Sequence, residues 1–256
     1  MTAITLKSAT EIDRMRRAGR VVAEVLALVE SELRPGISTA HLDALAEAHI
    51  RRSGATPSFK GYPGVNPRRP FPASLCISID AEIVHGIPGD RKLRSGQVVS
   101  IDAGAIVDGW HGDAARTFFV GTPPEPVRKL IDTTRLAMMA GIAAAVPGNH
   151  IDDISAAVED VAGPAGFGIV RQFVGHGIGR AMHEGPQVPN YRTGHKGRRL
   201  EPGLCLAIEP MLTMGDHDTR ILDDDWTIVT RDGSLAAHFE HSIAITERGP
   251  QILTTV

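Results

Sequence analysis

The sequence predicts an α+β fold: helices packed on one face of a mostly antiparallel sheet, in two similar halves that share a core. Three observations carry this. Leu93-Arg94-Ser95-Gly96 leads through an apolar run to Ile101-Asp102, and Leu200-Glu201-Pro202-Gly203 leads through another to Ile208-Glu209. Both fit Leu-x-x-Gly-x-x-x-x-Ile-acid, a turn and then an apolar strand ending on a carboxylate. Pro35-Gly36 and Pro147-Gly148 each open a helical stretch, and one offset overlays Ala44 on Ala156, Glu47 on Glu159 and Gly54 on Gly166. Finally, the order of patterns is helices, strands, helices, strands. We therefore expect one domain over residues 1–256, with duplicated halves near 10–120 and 121–250.

The elements follow in order. Ser8-Ala9-Thr10-Glu11 is a capping box. Ile12, Met15, Val22, Leu26 and Val29 then recur at helical spacing until Pro35-Gly36 stops the helix. A second helix starts near Ser38 and runs to about Arg51. Residues 56–73 are rich in Gly and Pro, and 63–72 reads as a loop. Strands are expected at 76–78, 82–85, 98–106 and 112–120, and helices at 126–145 and 151–162. Further strands are expected at 169–173, 204–209, 227–230 and 236–246, with Asp232-Gly233 turning residues 226–230 back onto the strand that carries Glu240.

Composition narrows the function. At 256 residues and 42% hydrophobic, the chain can bury a sizeable core. A net charge of −3 provides no broad basic surface, which argues against a nucleic-acid partner. Two cysteines, Cys76 and Cys205, make no disulfide framework and suit a reducing compartment. The first twenty residues mix acids and bases and lack the apolar stretch of a secretory signal, and no apolar run is long enough to span a membrane.

The chemistry is concentrated in acids on apolar strands. A buried, unpaired charge is costly, so Asp102 and Glu209 together ask for a cation. Asp108-Gly109 is a two-residue hairpin signal. If Val107 pairs with Trp110, Asp113 lies opposite Gly104 on the face of Asp102. The two acids are then diagonal neighbours about 7–8 Å apart, with Gly104 leaving the space between them empty. Gly175-His176-Gly177-Ile178-Gly179-Arg180 sets a histidine among glycines, with His183-Glu184 following. The run lacks the Lys-Ser/Thr of a phosphate loop. Taken alone, His176 and His85 read equally well as hydrogen-bonded core histidines. Glu240 is an acid inside an apolar strand, and Glu184 and His241 read as structural or supporting residues.

Taken together, these motifs resemble the type I methionine aminopeptidases, in a short form without an N-terminal extension. The resemblance rests on VHGIPGD around His85, SIDAGA around Asp102, WHGDAARTF around Asp113, GHGIGRAMHEGPQVPNY around His176 and His183, AIEPM around Glu209 and FEHSIAIT around Glu240. It implies the pita-bread fold, with pseudo-two-fold halves. It also implies two divalent metal ions (Co, Mn, Fe or Zn) held by Asp102, Asp113, His176, Glu209 and Glu240. In that family pattern Asp113 and Glu240 bridge both ions, Asp102 holds one, and His176 with Glu209 holds the other. A bridging hydroxide is the nucleophile. Glu209 shuttles the proton, His183 meets the carbonyl oxygen, and His85 contacts the scissile nitrogen.

The resemblance further implies removal of the N-terminal methionine from nascent polypeptides with a small second residue. The enzyme is expected to be cytoplasmic and monomeric, with the ribosome as a candidate contact and neither membrane nor specific nucleic acid as partner. The methionine pocket is expected at Phe59, Tyr62, Cys76, Met182 and Trp226, residues that could equally be ordinary core. Two features depart from the commonest short form: the longer Pro-rich loop Gly64–Ala73, and Met182 where an aromatic residue is often found. The rivals are a pita-bread peptidase cutting before proline, and a peptide-binding module that kept the fold and lost catalysis.

Overall fold

The computed structural model describes residues 4–64 and 66–256, so Val65 of the Pro-rich loop and Met1–Ala3 lie outside the described residues. Four helices form: α1 (Ala9–Glu32), α2 (Thr39–Arg52), α3 (Glu125–Ala144) and α4 (Ile151–Ala162). Helix α1 begins with the expected reciprocal box between Ser8 and Glu11, which satisfies backbone donors that have no partner inside the helix. Ser38 caps α2 through the His41 amide. Among the described residues no helix is long and apolar enough to cross a membrane.

The expected hairpin forms between Val98–Val107 and Trp110–Phe119, in the register the Asp-Gly turn implies: Val107 pairs with Trp110, Gly104 with Asp113 and Asp102 with Ala115. Leu75–Ile79 flanks it, with Cys76 beside Asp102. Glu240–Thr246 joins the hairpin to Cys205–Ile208, and Gly175–Gly177 and Glu184–Val188 complete that side of a nine-stranded sheet.

Strand alternation sorts the side chains. Val99, Ile101, Ala103 and Ala105 pack with Val22, Leu26, Leu42 and Ile50 of α1 and α2. Ser100, Asp102 and Gly104 therefore point to the opposite face. In the second half, Leu206, Ile208, Ile243 and Ile245 pack with Met138, Ile142 and Ile154 of α3 and α4, and Glu209 and Glu240 are directed the other way. The helices thus cover one face, and the acids project from the other.

Several expected strands differ. The 236–246 strand is broken at Phe239: Ala236–His238 pairs with Met211–Thr213 in a small second sheet, and only Glu240–Thr246 belongs to the main one. The neighbouring strand breaks at the same level, at Glu209-Pro210, where proline cannot donate to a ladder. The Asp232-Gly233 turn forms, but it does not bring residues 226–230 onto the Glu240 strand. Ile228–Thr230 instead pairs with Thr219–Ile221 and with Glu82–Val84. The 169–173 strand shortens to Gly168–Ile169.

Candidate metal centre and side-chain pocket

One cavity of about 120 Å³ is lined by Phe59, Tyr62, Phe71, Cys76, His85, Asp102, Asp113, His176, Met182, His183, Glu209, Trp226 and Glu240. Every residue expected to bind metal, act in catalysis or line the pocket borders it, and Phe71 joins them. Acids and histidines form its floor, and aromatic and sulfur-bearing side chains form its walls.

The floor comes from both halves of the sheet. Asp113 and Glu240 are 3% and 2% exposed, while Asp102 and Glu209 are half-buried and open on the cavity. Ligand atoms of Asp113, His176 and Glu240 lie within 4.8 Å of one another. His176 Nε2 is 3.9 Å from Asp113 Oδ2 and 3.5 Å from Glu209 Oε1. Its Nδ1 donates to the Gly177 carbonyl at 2.9 Å, which leaves the Nε2 lone pair facing the acids. Gly177 is required there, because a Cβ would stand 2.0 Å from the Gly185 carbonyl oxygen. Gly177→Ala is expected to cost about 1–3 kcal/mol in a denaturant melt, as overpacking does. Wild-type stability in the variant would show that this strand is not closely packed against Gly185.

Gly104 does not leave room between the two aspartates as expected. A Cβ there would meet Ser58 and the Phe59 ring, so a pocket wall takes that space.

Burial dominates the electrostatics. It lifts Glu209 to about 8 and Asp102 to about 7, the Glu209 charge adding to the latter and His238 opposing it. Asp113 and Glu240 are raised well above the carboxylate range by burial and then by their acidic neighbours. Burial lowers His176 to about 3 and His85 to about 4, so both imidazoles are neutral near pH 7. The Cys76 thiol is raised well above its usual value by burial and the nearby acids, and stays protonated.

Among the described residues, Asp102 Oδ1, Asp113 Oδ1 and Glu240 Oε1 are buried without a hydrogen-bond partner. Three orphaned acid oxygens and one free imidazole nitrogen in one cavity fit divalent cations. The mixed oxygen and nitrogen donor set suits Mn, Fe, Co or Zn.

The walls are ordered by specific contacts. Phe71 packs edge-on against Phe59 and Trp226, with centroids 6.5 and 5.1 Å away. His85 packs edge-on against Trp226 and Phe173 at 6.2 and 5.7 Å. Tyr62 Oη lies 2.6 Å from Nδ1 of His183, at the open rim. Glu184 is structural, as expected: it accepts from the amides of Arg180 and Ala181 and pairs with Lys7 at 2.7 Å. His241 bonds Thr254, away from the cavity. Sequence reasoning missed Phe71, hidden inside the loop, and His238, whose buried Nε2 stands 3.7 Å from Glu209 Oε2. A histidine two residues before Glu240 on an apolar strand was the available signal for the second.

A buried cluster of acids and a histidine opposite the helices agrees with a metallopeptidase, and the chain belongs to metallopeptidase family M24, whose model matches residues 13–247. Within that family it is 48% identical to a methionine aminopeptidase of Clostridium acetobutylicum, over 98% of each chain. It is 49% identical to methionine aminopeptidase 1 of Mycobacterium tuberculosis, over 97% of this chain and 94% of that one. The crystal structure of the Thermotoga maritima methionine aminopeptidase superposes with a TM-score of 0.94 at 39% identity, covering 99% of this chain and 100% of the other. The fold is the pita-bread fold. The prolidase of Pyrococcus furiosus shares it at 22% identity and a TM-score of 0.79, a likeness of fold alone.

Proposed function

We propose that this chain is a dinuclear metalloaminopeptidase that removes N-terminal methionine from peptides and nascent proteins with a small second residue. The observation that carries this reading is the juxtaposition of orphaned acid oxygens and a free imidazole nitrogen with an aromatic-walled pocket. Asp102, Asp113, His176, Glu209 and Glu240 would hold two divalent ions. When bound, the ions supply an activated water and polarise the scissile carbonyl.

The chain's own residues do the rest. Glu209 would take a proton from the attacking water and pass it to the leaving amine. Tyr62 would donate to Nδ1 of His183, leaving the proton on Nε2, where it can stabilise the carbonyl oxygen as charge develops. His85, neutral and held against Trp226, would contact the scissile nitrogen. Phe59, Tyr62, Phe71, Cys76, Met182 and Trp226 would surround the methionine side chain, with sulfur–aromatic contacts adding modestly to apolar burial. The presence of all five candidate ligands argues against the non-catalytic module. On this reading the protein is a cytoplasmic monomer that meets its substrates near the ribosome.

The test is hydrolysis of Met-Ala-Ser by metal-stripped protein resupplied with Mn, Co, Fe or Zn, beside Leu-, Ala- and Pro-initiated peptides. Metal-dependent release of methionine alone is expected, and Glu209→Ala is expected to lose it. Two ions bound with no release under any metal would overturn the catalytic reading.

A further inference from the structure

The longer loop before Cys76 is built into the pocket. Its neck is closed by backbone bonds, Gly61 N to Phe71 O at 2.8 Å and Phe71 N to Tyr62 O at 2.9 Å. From this neck the loop reaches across to Trp226. The indole Nε1 donates to the Arg69 carbonyl at 2.9 Å. Gly64 lies so close to the indole that a Cβ would stand 2.6 Å from it. Phe71, also in the loop, is 2% exposed and packs edge-on against the Trp226 ring.

The loop is pinned in turn to the segment that carries Trp226. Asn66 Nδ2 donates to Asp225 Oδ2 at 3.1 Å, and Arg69 Nη1 reaches Asp223 O at 3.1 Å and Asp225 Oδ2 at 3.3 Å. Asp225 is left-handed, with φ of 67°, a turn conformation that aspartate adopts more readily than most non-glycine residues. Asp224 fixes the backbone of the same segment by accepting from the amides of Trp226 and Thr227. Trp226 is therefore held at its backbone by its own turn and at its indole by the loop. Its ring borders the cavity and packs on His85.

We propose, resting on the aminopeptidase reading above, that this loop sets selectivity for the N-terminal side chain by clamping Trp226. Asn66 and Arg69 are positioning residues that act through the indole. The clamp keeps the pocket narrow, so it admits a long unbranched side chain such as methionine and disfavours a branched one such as leucine. A loosened indole widens the pocket and weakens binding of the ground state and transition state alike. That predicts a change in KM rather than kcat.

The experiment compares the metal-loaded chain with Asn66→Ala and Asp225→Gly, the latter retaining the left-handed turn without the carboxylate. Asp225→Asn serves as the conservative variant that keeps an acceptor for Asn66. Turnover of Met-Ala-Ser and Leu-Ala-Ser is measured together with acrylamide quenching of tryptophan fluorescence. The chain has two tryptophans, and Trp110 is 2% exposed, so quenching reports Trp226. One lost hydrogen bond implies a rise in KM for Met-Ala-Ser of about fivefold to tenfold. kcat is expected to stay near the parent value, Met-over-Leu preference to fall, quenching to rise, and Asp225→Asn to restore most of each.

Unchanged quenching and KM in both variants would make the loop a passive surface feature and overturn the proposal. An effect in Asp225→Gly but neither in Asn66→Ala nor in Asn66→Ala combined with Arg69→Ala would place control in the turn alone, also overturning it. Should Asp225→Gly fail to fold, Asn66→Ala combined with Arg69→Ala carries the same test. A parent chain that releases no methionine overturns the aminopeptidase reading instead, and the quenching arm still decides whether the loop clamps the indole.

Discussion

Glu240→Gln is expected to abolish methionine release and loaded metal while making the metal-free protein more stable. Glu240 is 2% exposed, its Oε1 has no partner, and it lies among Asp113, Glu209 and Asp102. Its ionised form is disfavoured by burial first and by those acids next. Glutamine keeps the shape, cannot ionise, and brings an amide that can donate to a neighbouring carboxyl. The amide relieves repulsion in the metal-free protein but withdraws a charge that two cations would share. Altering a residue that merely supports a ligand costs about 10–100-fold in metal affinity or activity. Loss of a proposed ligand itself should exceed the top of that range. The metal-free variant should melt higher than the parent near pH 8, where the parent must either keep a proton on this buried carboxyl or ionise it among other acids. Elemental analysis, peptide release and melts with and without chelator measure all three. A variant that keeps both ions and its activity would remove Glu240 from the ligand set. One that melts lower without metal would show that the carboxylate is structural.

The parts of the site that were legible in the sequence were those set by short-range rules. Strand alternation and the Asp108-Gly109 turn placed Asp102 and Asp113 on one face, and the pairing of Gly104 with Asp113 followed the same arithmetic. The repeated turn–strand–acid pattern brought Glu209 in beside them. Resemblance, not periodicity, supplied the pocket residues and the division of roles among the ligands. What failed depended on distant partners. Asp232-Gly233 looked like the turn of a hairpin onto the Glu240 strand. Yet Ile228–Thr230 finds Glu82–Val84, some 150 residues away in sequence, and local pattern carries no information about that pairing. The break at Phe239 depends on Pro210 across the sheet and is invisible along the strand. Phe71 was obscured because its flanking prolines mark a loop, and loops are ordinarily read as surface. The bond between Tyr62 and His183 joins segments whose closeness only the fold creates.

Above pH 6.5 the metal-free protein should lose stability as pH rises, and loading with metal should reverse this. Asp102 is raised from an ordinary 3.8 to about 7 and Glu209 from 4.5 to about 8, with Asp113 and Glu240 raised in the same direction. A carboxyl group with a raised folded value stabilises the fold fully below its unfolded value. That contribution is lost as pH climbs through the folded value. The buried histidines work in the opposite sense. His176 is lowered to about 3, and His85 and His238 to about 4, from 6.5. Their contribution is complete only about one pH unit above 6.5 and is lost as pH falls through 6.5 toward 4. Between pH 6.5 and 8 each histidine still adds about 0.4 kcal/mol of stability, less than each strongly raised acid removes, so the acids decide the sign. One retained proton is worth about 1.4 kcal/mol per pH unit, so Glu209 alone implies a loss of roughly 2 kcal/mol across that window. Divalent cations bind the ionised carboxylates, so loading must expel those protons and is favoured by the same rise in pH. Denaturant melts of stripped and loaded protein at pH 6.5, 7.25 and 8 should diverge steadily, and metal addition at pH 6.5 should acidify a weakly buffered solution. Parallel curves with no proton release would mean that the acids are already ionised in the metal-free fold, and the electrostatic account of the site would fail.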